Sequence, residues 1–245
     1  MKIEEILVEN LKNIKEIFNK YNIQSWLDWG TLLGAVRNGK IIEWDHDIDL
    51  GVMECDFKKI NLIISEIEKK GFFIIKSPIS TPELTFRKKG YGIDIWKYST
   101  KSNNLFVTSY YELSENKIAQ ILWFLWRILG EEYSKVDLPK KGYKFILTYF
   151  INFILFLFPP KLKLFLKKII KKILIKKNYR IHKQAFVPKH YFEKFKNMKF
   201  YGMTFNIPFD SENYLKYKYG KSWKVPIKEW HPFKEDGTIK FSKDL

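Results

Sequence analysis

Three aspartates in the run Trp44-Asp45-His46-Asp47-Ile48-Asp49 are the residues best arranged for chemistry. Asp47 and Asp49 are separated by one residue, and on an extended strand residues i and i+2 point to the same face. Two carboxylates held that way repel unless something cationic lies between them. Hard divalent cations take oxygen ligands and often bridge carboxylates to substrate phosphates, so the spacing predicts a site for Mg²⁺ or Mn²⁺. Asp45, two residues earlier, shares that face if the strand begins there. Asp94 sits in Gly92-Ile93-Asp94-Ile95-Trp96, flanked by apolar residues, a costly position for a carboxylate without a partner or metal. On a neighbouring strand it would stand beside Asp47 and Asp49, able to bind the same metal or to act as general base for an attacking hydroxyl.

A bare D-x-D is more often solvated or paired with lysine than catalytic. Here it follows Gly30-Thr31-Leu32-Leu33-Gly34 at short range. Small residues at a strand-to-helix turn let backbone N–H groups approach phosphate oxygens, and a helix N-terminus favours anions.

The elements that must position these residues are legible in outline. Ile3, Ile6, Leu7, Leu11, Ile14, Ile17 and Phe18 recur at three- and four-residue steps, predicting an amphipathic helix over 2–20. Ser25 to Trp29 reads as a short strand, Gly30-Thr31 as a tight turn, and Leu32 to Val36 as the start of a helix. Asp47 to Met53 alternates as a two-faced strand. Phe57, Ile60, Ile63, Ile64 and Ile67 predict a helix over 56–70, stopped by Gly71. Strands are expected at 72–75, 84–87 and 91–96. The first hundred residues therefore suggest a small mixed sheet with helices against it.

The middle of the chain differs. Residues 118–129 are apolar and Trp-rich, 145–158 are almost wholly apolar, and KLKLFLKKIIKKILIKK (161–177) sets eight lysines among Leu, Ile and Phe at helical spacing. The apolar run is shorter than the roughly 20 residues that span a bilayer. Its basic neighbour fits an interfacial helix, so the stretch is expected to contact an anionic membrane surface; a core helix followed by a solvated basic helix, and a single short span, are the alternatives. Three regions follow: a catalytic core at 1–117, a helical membrane-contacting insertion at 118–178, and a C-terminal element at 179–245.

Composition bounds the rest. The 245 residues are 46% hydrophobic and 18% aromatic, enough for a sizeable core. A single cysteine, Cys55, excludes an intramolecular disulfide and a multi-cysteine zinc site, and a reducing compartment fits best. The opening MKIEEILVENLK lacks the apolar core of a secretory signal. A net charge of +17 favours phosphate-rich partners, and the lysines concentrate beside the apolar segment, which points to membrane rather than nucleic acid.

The stretch WLDWGTLLGAVRNGKIIEWDHDIDLGV (26–52) closely resembles the signature of the LicD/fukutin-related family; FRKKGYGIDIW (86–96) resembles its second acidic strand, and YLKYKYGKSWKVP (214–226) its C-terminal element. The resemblance implies an α/β (α+β) nucleotidyltransferase-like fold: a mixed sheet with flanking helices. It implies transfer of phosphocholine or a polyol phosphate from a CDP-linked donor to a glycan or lipid-linked glycan acceptor, at the cytoplasmic face of the cell membrane. By motif position, Asp47 and Asp49 are the metal-binding pair, Asp94 the third carboxylate and Asp45 a supporting acid. Gly30, Thr31 and Gly34 form the phosphate-facing turn, and Arg37 is a candidate for donor phosphate charge.

Two departures from the family pattern stand out. Glu43 replaces the usual proline, and His46 replaces the middle aspartate of the acidic triplet. In a strand His46 would point away from Asp45 and Asp47, which leaves the metal site intact. Other candidates are weaker. His182, His190 and His231 have no metal-ligand spacing, Arg87 and Lys88 suit a solvated edge as well as a phosphate contact, and Tyr219 and Trp223 suit packing better than base stacking. Nucleotidyl transfer from an NTP, and an inactive membrane-bound relative, are the competing readings.

Overall fold

Hydrophobic periodicity sets the first layer. A computed structural model describes residues 2–75, 84–102, 105–129, 158–230 and 235–240. Helix α1 (Ile3–Lys20) buries Leu7, Leu11, Ile14, Ile17 and Phe18, the stripe its three- and four-residue spacing demands. Glu4 and Glu5 lie in its first turn and Lys20 in its last, each complementing the helix dipole. Strand β1 (Ser25–Leu27) is buried throughout, and Asp28 caps helix α2 (Trp29–Asn38), which Gly39 ends in the left-handed conformation at φ 66°.

Strand β2 (Asp47–Met53) runs into α3 (Glu54–Leu62) and α4 (Ile64–Lys69). The single helix expected over 56–70 is thus two. Ile63 leaves helical geometry (φ −106°, ψ 12°) and is buried, so the packing of its side chain overrides the helical pattern around it. Gly71 follows at φ 84°, its N–H donating to the Glu68 carbonyl, as the stop signal required. Strands β3 (Phe73–Ile75), β4 (Leu84–Lys88), β5 (Tyr91–Ser102) and β6 (Leu105–Leu113) come next, β5 running well past the expected Trp96. After helices α5 (Lys117–Ile128) and α6 (Pro160–Lys176) the chain forms β7 (Arg180–Pro188), β8 (Phe195–Phe200), β9 (Met203–Pro208), α7 (Ser211–Tyr219) and β10 (Ile239–Lys240).

The sheet order is β10-β7-β6-β5-β2-β1-β9-β8, with β4 also pairing β5 and β3 pairing β4. It is mixed: β2 and β5 run parallel, as do β1 and β9, while β1–β2, β4–β5, β5–β6 and β8–β9 are antiparallel. The parallel pair sets the register that matters, with Asp49 opposite Asp94 and Asp47 opposite Gly92. The protein is therefore a mixed α/β structure with helices flanking a mixed sheet.

The chain divides into two compact units, one of residues 1–76, 81–110 and 183–245, the other of 77–80 and 111–182. Within the second, Trp126 of α5 and Leu129 just after it are buried with Ile170 and Leu174 of α6, and the Lys167 ammonium lies 4.3 Å from the centre of the Trp126 ring. On α6, Leu162, Leu164, Phe165, Ile169 and Ile173 remain exposed among the lysines. Among the described residues no helix is long and apolar enough to cross a membrane. The apolar run expected to reach one, 145–158, lies outside the described residues except for Phe158.

Candidate active site

Four carboxylates share one cavity. Its volume is about 410 Å³, and Asp45, Asp47, Asp49 and Asp94 form its acidic wall. Asp47 and Asp49 reach it from alternate positions of β2, and Asp94 from the facing position of β5. Asp45 precedes the first residue of β2, so the turn rather than the strand carries it there. His46 is exposed, is not part of the cavity lining, and its ring centre is 6.5 Å from that of Tyr91. The substitution therefore removes no carboxylate from the cavity.

Asp49 is the most firmly held of the four. Its Oδ2 accepts a hydrogen bond from the Gly30 amide at 3.1 Å, and its Oδ1 accepts one from the Trp96 indole Nε1 at 2.8 Å. Its own amide donates to Thr31 Oγ1 at 2.8 Å, and its carbonyl accepts from the Asp28 amide. Asp94 Oδ1 accepts from Thr85 Oγ1 at 2.7 Å. Burial raises the Asp49 carboxyl well above its ordinary range, and the charges of Asp47 and Asp94 push it further. Burial does the same to Asp94, aided by Asp47 and opposed by Thr85 and Arg87. Asp45 is pushed up to about 9, first by burial and then by Asp47. Such a wall favours protonated carboxyls, and a bound cation would favour the charged form instead.

The donor set is hard oxygen, which suits Mg²⁺ or Mn²⁺. Among the described residues, however, no three His, Cys, Asp or Glu side chains form a metal-holding group by themselves. An ion resting on two carboxylates and completed by substrate phosphates needs no such group, and Mg²⁺ is usually bound that way. The residues present fit a cation of that kind.

The small-residue segment has a different local structure from the turn expected. Gly30 and Thr31 lie in the first turn of α2 and Gly34 in its middle. Gly30 lines the cavity, and its amide is engaged by Asp49. Thr31 is buried with its hydroxyl on the Asp49 amide, and a Cβ on Gly34 would meet the Lys40 carbonyl at 2.6 Å. Thr31 and Gly34 thus shape the wall from behind, since neither lines the cavity. Arg37 does line it, as do Lys228 and the aromatics Trp29, Trp44, Trp96, Tyr219, Trp223 and Trp230. Tyr219 and Trp230 face each other at 4.7 Å.

Several residues of this region escape a reading of the sequence. Asp28 is fully buried, capping α2 through the Trp29 amide and accepting from the hydroxyls of Tyr98 (2.7 Å) and Tyr214 (3.0 Å). An Asp immediately before a Gly-Thr-rich helix start is an N-cap signal that could have found it. Lys218 is buried and its Nζ donates to Asp236 Oδ2 at 2.6 Å. Only the helical spacing of Tyr214, Leu215 and Lys218 hints that this lysine faces inward.

Residues 22–141 match the family described as LicD/FKTN/FKRP, nucleotidyltransferase domain, a span that includes all four cavity aspartates. An uncharacterised protein of Rickettsia prowazekii (strain Madrid E) is 38% identical over 68 residues, 28% of this chain and 26% of that protein. The ribitol 5-phosphate transferase FKRP of Homo sapiens is 41% identical over 46 residues, 19% of this chain and 9% of that protein. The matched stretch thus spans about a quarter or less of these relatives. The solution structure of the antibiotic-resistance factor ANT(2'')-Ia is similar at a TM-score of 0.32 and 14% identity, covering 71% of this chain and 94% of that one. At that level the likeness adds nothing to the assignment.

Proposed function

The chain belongs, through residues 22–141, to the LicD/FKTN/FKRP nucleotidyltransferase-domain family, and from that premise we propose that it is a transferase moving a phosphorylated alcohol from a CDP-linked donor to a glycan. The observation that carries the reading is the acidic wall, with Asp49 and Asp94 in register across parallel strands and Asp45 and Asp47 beside them.

Each residue then has a task. Asp47 and Asp49 would hold the divalent cation, which when bound offsets charge on the donor phosphates. The Gly30 amide and the Trp96 indole fix the Asp49 carboxylate, so its oxygens are oriented before substrate arrives. Asp94 is the proton acceptor for the attacking sugar hydroxyl, and the Thr85 hydroxyl aims it. Arg37 and Lys228 supply positive charge for the phosphates. Trp44, Tyr219 and Trp230 give the cavity flat walls suited to a nucleoside base.

The test is a panel: purified protein with Mg²⁺ or Mn²⁺, a glycan acceptor, and CDP-choline, CDP-ribitol or CDP-glycerol in turn, scored by CMP release and mass gain of the acceptor. Turnover of at least one CDP-alcohol is expected. Incorporation from an NTP with no turnover of any CDP-alcohol would replace this reading with nucleotidyl transfer.

The acceptor is expected at an anionic membrane surface, on the cytoplasmic side. On α6, Leu162, Phe165, Ile169 and Ile173 form an exposed apolar stripe beside Lys161, Lys168 and Lys172. That pairing of apolar and cationic faces supports peripheral binding. Co-sedimentation with vesicles containing phosphatidylglycerol should be lost in Phe165→Glu/Ile169→Glu; binding unchanged by that pair would remove α6 from the contact.

A further inference from the structure

Two hydrogen bonds to the Asp49 carboxylate come from Trp96 and from the residue that follows its stacking partner, Trp29. The Trp96 indole donates to Oδ1, and Trp96 lies flat against Trp29, ring centres 4.1 Å apart and planes 19° from parallel. The other donor, the Gly30 amide, belongs to the residue after Trp29. Trp29 itself has φ 43°, a left-handed conformation that is strained for a bulky residue and persists only where the surroundings enforce it.

A buried cation stands against that ring. Lys218 Nζ stands 3.1 Å from the centre of the Trp29 ring. Lys218 is 1% exposed and paired with Asp236, whose other oxygen accepts from the amide and hydroxyl of Thr238. A buried ammonium on a tryptophan face is among the stronger cation–π arrangements. The charge pair is thus not a surface accident. It is sealed, saturated with donors, and pressed against the ring that starts α2.

We propose that Lys218 and Asp236 are positioning residues for Asp49: the ion pair fixes Trp29, Trp29 fixes Trp96 and the Gly30 amide, and these two donors fix the carboxylate. Its kinetic consequence rests on the transferase reading given above; its structural consequence does not. Lys218 and Asp236 touch no reacting atom, and both come from the C-terminal part of the chain, beyond residues 22–141.

The test uses the full-length protein and the paired substitution Lys218→Met/Asp236→Asn, which removes both charges together and leaves a side-chain amide oxygen at position 236 to accept from Thr238. Two-dimensional NMR of the ¹⁵N-labelled protein reads hydrogen exchange at the Trp96 indole N–H. The expected result is exchange accelerated about tenfold at that indole, with strand amides of β2 and β5 keeping their protection. An indole as protected as in the wild type would overturn the proposal, whatever the activity. In turnover, kcat should fall about tenfold with donor KM unchanged within about twofold. Trp96→Phe keeps a stacked ring and removes the indole donor, so it should show a kcat loss no larger than that of the pair. Adding Lys218→Met/Asp236→Asn to Trp96→Phe should cost less than the product of the two separate losses, because both act through the Trp96 hydrogen bond. Losses that multiply would show independent roles and overturn the coupling. Should no CDP-alcohol turn over, the transferase reading fails and the indole exchange still decides this one.

Discussion

Gly30→Ala separates stability from activity at this site. Gly30 is the second residue of α2 and has no positive φ, so its backbone does not require glycine. In a helix, alanine at such a position is favoured by about 0.5–1 kcal/mol through lower chain entropy. The new Cβ, however, would stand 2.7 Å from Asp45 Oδ2 and 3.5 Å from Asp49 Oδ2. Ordinary carbon contacts begin near about 3.5 Å, so the Asp45 carboxylate must withdraw by roughly half an ångström to one ångström. It sits at the end of a side chain and can turn away at small cost. The helix gain and the turning cost nearly cancel, leaving stability within about 1 kcal/mol of the wild type. A catalytic group displaced by about 1 Å can cost about 100-fold in rate, and a loss of that order is expected. Thermal unfolding and CMP release at saturating donor, measured on one preparation, give both numbers. Turnover within about twofold of the wild type would refute the assignment of Asp45 to the working wall. A large fall in Tm would refute the steric reasoning.

Other expectations follow from the same contacts. Gly51→Ala builds a Cβ into the buried Trp26 ring, so it should destabilise by about 1–3 kcal/mol in urea titration; a stability equal to wild type would mean the ring moves freely. Asp45 has a folded-state carboxyl raised from 3.8 to about 9, so folding favours its protonated form: this contribution is full below about pH 4 and lost as pH rises toward about 9. With chelator present, Asp45→Asn should therefore raise Tm at about pH 8.5 more than at about pH 5; an equal change at both would contradict the buried, repelled carboxylate. Asp94→Asn should lower kcat with little change in Mn²⁺ affinity, and a parallel loss of metal binding would make Asp94 a ligand instead of the base.

The acidic wall is visible in the sequence because a strand repeats every two residues, which puts Asp47 and Asp49 on one face without knowledge of the fold. Asp94 is visible through its apolar neighbours, since a carboxylate among isoleucines calls for an explanation. Its register opposite Asp49 is not, because parallel pairing depends on the crossover between β2 and β5, which no local pattern encodes. Helix α1 is legible to within one residue from its stripe. The Gly-Thr segment looks like a turn by composition, but Asp28 already caps the helix and draws Trp29, Gly30 and Thr31 into it. Lys218 and Asp236 are hidden for a plainer reason. Charged residues 18 positions apart carry no sign that they will be sealed together under a tryptophan.

In the transferase reading, Asp47 and Asp49 work together on the phosphates of a CDP-linked donor. The most direct measurement is CMP release, with acceptor mass gain, by wild type, Asp47→Asn and Asp49→Asn under the same Mg²⁺ and donor concentrations. Both substitutions should abolish release to the level of the no-enzyme control while the proteins stay folded. Release that continues unchanged in both would contradict that reading.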